Sequence, residues 1–214
     1  LARTDAELAV PDRRQRGYAA CRIEPHPGQK MTPCMPPENE SAAALPESAD
    51  FLAVQAACDM PDAHPMVLEL WHYAQTCRAP GELPTRKLFD PAALAKLLSR
   101  LWILDVLHDP FDLRYRLAGT HIVQTIGFDP TGRVFSDIMA ERIATNPALM
   151  ARHRYMADSG TATWRLGPAR HWKSMDFKTV ENLCVPFAAA DGAPTQVAQM
   201  VCISVCYRAD GSVF

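Results

Sequence analysis

The chain has 214 residues, a hydrophobic fraction of 48%, a charged fraction of 21% and a formal net charge of -2. It is long enough for one domain with a real core, and it lacks the basic footprint of a nucleic-acid binder. Seven cysteines without a CxxC or other zinc-type spacing argue for reduced thiols in a cytoplasmic protein, and the longest apolar run, Val197 to Tyr207, is about half the roughly 20 residues of a membrane helix.

Residues 1–62 carry no sustained period. Half of the 18 prolines fall before Val67, together with the charged cluster Asp12 to Arg16, and such a segment buries too little apolar surface to offset its ordering entropy. It is expected as a mostly disordered leader, with a helical turn or two between Glu47 and Cys58. The sequence opens on Leu1, which makes Met31 and Met60 alternative starts. The expected domain covers residues 63–208, and 209–214 form a short polar tail.

From Ala63 the pattern becomes helical: Val67, Leu70, Trp71 and Ala74 share a stripe, and Ala79-Pro80-Gly81 stops it. Asp90-Pro91 is an N-cap and first-turn pair for a second short helix with Leu94, Leu97 and Leu98 inside. Leu101 to His108 is apolar on both faces, as in a strand covered on both sides. One face is expected to take the central helices and the other the leading helices or a second subunit. Asp109-Pro110 turns the chain into Phe111 to Ala118, where Phe111, Leu113, Tyr115 and Leu117 alternate with polar residues. Thr120 reads as the cap of a two-turn helix that Gly127 ends. A longer helix, about 146–159, carries Leu149, Met150, His153 and Met156 on its stripe. Three strands follow: Ala162 to Trp172, interrupted at Gly167-Pro168, then about Thr179 to Ala188, and Thr195 to Tyr207 after the Asp191-Gly192 turn.

The string Arg116 to Thr120, the apolar helix after it and Gly127 to Arg133 resemble the second strand, first helix and following loop of a PAS domain. The likeness is nearest to the small stand-alone bacterial PAS proteins of the PAS_5 type. Leu70-Trp71, the strand Leu104-Asp105-Val106, Pro186-Phe187 and Asp191-Gly192 extend it from about His64 to Tyr207. The resemblance implies an α+β fold, with a five-stranded antiparallel sheet of order 2-1-5-4-3, helices on one face and leading N-terminal helices. It also implies a sensor or adaptor in signal transduction.

Strand alternation nominates a ligand cavity lined by Leu113, Tyr115 and Leu117, by His121 and Ile126 of the short helix, and by Met200 and Cys202 of the last strand. His153 joins it from the longer helix. Asp105, Glu181 and Asn182 are further polar residues near the inner faces. Arg116 and Arg133, with Arg114, are candidate anion contacts, set against a solvated basic edge. PAS relatives include haem, flavin and metabolite sensors, so His121 and His153 are the positions for a haem ligand, whereas the flavin photosensor motif needs a cysteine and none lies between Cys77 and Cys184. Cys202 and Cys206 stand roughly 13 Å apart along one strand, too far to share a metal. No catalytic residue set, phosphate-cradling glycine loop or output segment is apparent. The expected protein is therefore a non-enzymatic homodimer acting through a signalling partner. The competing expectation is a small hydrolase or isomerase on a cone-shaped α+β fold of the nuclear-transport-factor type.

Overall fold

Short turns and strong alternation bring the strands into one sheet, on which the helices pack. The computed structural model describes residues 50–169 and 177–214. Its strands are β1 (Leu52–Val54), β2 (Leu101–His108), β3 (Phe111–Ala118), β4 (Ala162–Pro168), β5 (Phe177–Ala188) and β6 (Val197–Arg208). The helices are α1 (Pro65–Thr76), α2 (Thr120–Ile126), α3 (Phe135–Ile138), α4 (Ala140–Thr145) and α5 (Ala148–Ser159). The strands form one antiparallel sheet in the order β1-β4-β5-β6-β2-β3.

The sheet has six strands, not the expected five, and its order departs from 2-1-5-4-3 by the strand added at the β4 edge. The extra strand is β1, which pairs Leu52 with Trp164 and Val54 with Ala162 on β4. It arises from the segment expected as leader, and it is followed by a turn of 3-10 helix at Ala57–Asp59 whose end buries Met60. Residues 1–49 of that expectation lie outside the described residues, as do Arg170 to Trp172 of the strand after α5. Within the short polar tail, the Phe214 amide donates to the Cys206 carbonyl and its ring packs on Phe177.

The sheet has helices on both faces, the central ones on one and the leading helix on the other. On the outer face Val67, Leu70, Trp71 and Ala74 of α1 bury against Ile103, Leu183, Val185, Val201 and Ile203. A 12-residue helix is marginal by itself, and burying Val67, Leu70 and Trp71 adds roughly 1.5–3 kcal/mol each. Glu181, also on this face and 1% exposed, ties the start of α1 to the sheet: it accepts from the His64 amide, Trp164 Nε1 and the Tyr207 hydroxyl. Of the two expected covers for the outer face of β2, the leading helices or a second subunit, the chain supplies the first through α1. The expected second leading helix is two 3-10 turns, Pro91–Leu94 capped by Asp90 and Leu98–Arg100, with Leu94 and Leu97 buried and Leu98 exposed.

On the inner face α2 to α5 pack over Leu104, Leu113, Tyr115, Cys184, Met200 and Cys202. The cap of α2 is Gly119, not Thr120. A Cβ at Gly119 would stand 2.1 Å from the Leu98 carbonyl oxygen, so only glycine lets β3 pass that close to the 3-10 turn. Gly127 closes α2 in the left-handed region at φ 94°, the expected stop.

Candidate functional site

The helices of the inner face do not close fully on the sheet. Between them lies a cavity of about 150 Å³. Its wall is mainly apolar: Ile122 and Ile126 of α2, Phe135 and Met139 around α3, Leu149 of α5, and Trp102 and Tyr115 of the sheet. Tyr115 stacks on Phe135 with ring centroids 5.8 Å apart and meets Trp102 at 6.1 Å. Burial pushes the Tyr115 hydroxyl well above its ordinary pKa, so it stays protonated.

Polar groups converge on this wall from α5 and from the sheet. His153 is 2% exposed, its ring 5.0 Å from that of Phe135. Its Nδ1 lies 2.7 Å from the Leu149 carbonyl, so Nδ1 carries the proton and Nε2 is an acceptor, which is buried and has no partner among the described residues. Burial, then the neighbouring Arg152 charge, lowers the imidazole pKa to about 4, against the weaker upward pull of the Leu149 carbonyl. Asn182 Nδ2 and Trp102 Nε1 both donate to Ser204 Oγ, at 2.7 and 2.9 Å. Arg152, from the preceding position of α5, bonds to Thr163 on β4, with Nε at 2.8 Å from Oγ1 and Nη2 at 3.0 Å from the carbonyl. Arg142 also lines the cavity, and Arg165 with Asp50, joined by a 2.8 Å ion pair, lines it at the β1–β4 edge.

Of the residues nominated from the sequence, Tyr115, Ile126 and His153 meet at the cavity. Leu113, Met200 and Cys202 are fully buried in the inner core without lining it. Leu117 is 38% exposed because β3 is irregular there: the pairing steps from Leu104↔Tyr115 to Ile103↔Leu117, which gives β3 one extra residue and turns Leu117 to the face of Ile103. His121 lies outside the cavity lining, against Phe214 and with Nε2 3.1 Å from Arg100 Nη1; burial, then that guanidinium, lowers its pKa to about 4. Arg116 and Arg133 are exposed, the latter over the Phe128 ring, and neither reaches the cavity. The arginines that do are 142, 152 and 165.

Asp105 accepts from Gln199 Nε2 on the neighbouring strand, a structural partner rather than a site. No cluster of three metal-ligating side chains occurs among the described residues. A haem does not suit this cavity, since about 150 Å³ is room for roughly one benzene ring. No helix among the described residues is long and apolar enough to cross a membrane.

Neither the curated proteins nor the solved structures compared with the chain give a match. A family model does: PAS_5, described as PAS domain, matches residues 62–201, a span that takes in α1, the inner-face helices and nearly all the cavity wall. The match covers well over half of the sequence and agrees with the α+β architecture, and the chain belongs to the PAS domain family.

Proposed function

We propose that the protein is a cytoplasmic sensor or adaptor of bacterial signal transduction that takes a small molecule into the inner-face cavity and passes the occupancy to a partner protein. A PAS domain points to a sensory or signalling role. The observation that carries the finer reading is the cavity itself: a mainly apolar, aromatic-rich wall into which polar groups converge, one of them, His153 Nε2, buried without a partner among the described residues. Its lining comes from α2 to α5 and five strands, so occupancy biases the packing of the whole helical layer. A partner or a second copy reading that layer would sense the ligand.

The test is to purify the protein, record its absorbance from ultraviolet to red, and identify by mass spectrometry whatever denaturation releases. A stoichiometric organic molecule supports the sensor. An empty protein whose melting temperature no small metabolite raises argues for a pure interaction module.

One observation favours the second reading, a cavity enzyme: a histidine with a strongly lowered pKa, His153, lies in the cavity. It is a weak base at neutral pH, however, and its Nδ1 is oriented by a helical carbonyl, with no carboxylate to stabilise a protonated ring. The binding reading therefore stands first. Turnover of an ester or ketone that is lost in His153→Gln would reverse the order.

A further inference from the structure

We propose that the cavity occupant is a small carboxylate with an apolar body about one aromatic ring in size, its charge held by Arg152 and Ser204. This rests on the cavity being a ligand site, as proposed above.

Arg152 is 6% exposed, and a guanidinium cannot shed its charge when buried. Its partners are the hydroxyl and carbonyl of Thr163, the Asn182 carbonyl at 3.4 Å, the Cys184 sulfur at 3.8 Å and the Phe51 ring at 5.9 Å, none of them a carboxylate; burial raises the Cys184 thiol pKa, but the Cys202 hydrogen bond and the Arg152 charge bring it below the ordinary value. Among the described residues no carboxylate pairs with it, and its Nη1 has no hydrogen-bond partner. A buried cation in this condition is stable only if something else supplies the counter-charge. Ser204 adds a second open donor. Its oxygen already receives the Trp102 and Asn182 protons, so its own proton must go to a third group, and none is found among the described residues.

The two donors are joined through one residue. Asn182 accepts from Arg152 with its backbone carbonyl and donates to Ser204 with its side-chain amide. A pair of open donors, one of them charged, around a single strand position matches the two oxygens of a carboxylate. The rings of Trp102, Tyr115 and Phe135 give the wall room for an apolar body, while of its other charged groups Arg165 is already paired with Asp50. A cavity of about 150 Å³ is the size that admits one benzene ring.

Calorimetric titration of the full chain with benzoate, benzamide and inorganic phosphate at fixed ionic strength tests the assignment. Benzoate should bind one to one, and benzamide, its neutral isostere, roughly tenfold more weakly, the difference between a charged and a neutral hydrogen bond. Phosphate should bind more weakly than either. Arg152→Met should erase the preference for benzoate. Because Arg152 also holds β4, Ser204→Ala serves as the second variant, weakening benzoate several-fold while the protein stays folded. Equal binding of benzoate and benzamide overturns the carboxylate assignment and leaves the cavity reading intact. Phosphate binding as tightly as benzoate overturns the ring-sized body. If neither aromatic compound binds and denaturation releases nothing, the cavity reading itself fails. If Cys184 titrates as a thiolate at neutral pH in an empty protein, the counter-charge is internal and the proposal falls.

Discussion

Acidification from pH 8 to pH 5 should destabilise the protein through one residue above all, His153. Its pKa is about 6.5 in the unfolded chain and about 4 in the fold, so between those values the unfolded state binds the extra proton. Stability from this group is therefore fully present above pH 6.5, falls as the pH drops through that window, and levels off below about 4. Integrating the proton uptake from pH 8 to pH 5 gives about 2 kcal/mol, which for a chain of this size lowers the melting temperature by about 4–8 °C. His121 shifts in the same direction but lies nearer the surface, at 9% exposure against 2%, and adds a smaller slope. The difference between the wild type and His153→Leu isolates the buried group. Leucine also removes an imidazole nitrogen that is buried without a partner, so the variant should be no less stable than wild type at pH 8 and should lose about 2 kcal/mol less on reaching pH 5. Thermal melts by circular dichroism at half-unit pH intervals measure both. Parallel pH profiles for the two proteins would refute the burial of a neutral imidazole at this position.

Gly119→Ala should cost about 3 kcal/mol or more in urea denaturation, because its Cβ would meet the Leu98 and Ser99 carbonyl oxygens at 2.1 and 2.4 Å and backbone cannot yield there. Glu181→Ala should cost about 3 kcal/mol by the same assay, since Trp164, Tyr207 and the His64 amide lose a buried acceptor together; a loss below 1 kcal/mol would show that water replaces it. Leu117→Ser should change stability by less than about 0.5 kcal/mol, whereas Tyr115→Ala, two residues away, should cost about 3–5 kcal/mol. Equal effects at 115 and 117 would restore the unbroken alternation that the structure replaces with a bulge.

The elements that local pattern determines were legible. β2 and β3 run over the residues where alternation and the Asp109-Pro110 turn place them, and α2 ends at the glycine expected to end it. What local pattern does not encode is pairing. β1 has only three residues and exists because Leu52 to Val54 find the free edge of β4, and the irregularity that reverses Leu117 is a property of two strands together. The candidate site divides along the same line. Tyr115, Ile126 and His153 were reached because each lies on an apolar face whose direction the period fixes. Arg152 was missed although the sequence carried its signal: it stands three residues after Leu149 and four before Met156, on the very stripe that buries α5. A helix forced to bury that stripe must bury the charge with it. Such a position is a defect unless the fold or an occupant supplies a counter-charge, and Thr163 and Asn182 supply only neutral acceptors. The charge that breaks the amphipathic pattern is thus a better guide to the site than the apolar residues that obey it, and reading α5 for its exception rather than its rule would have led to the cavity from the sequence alone.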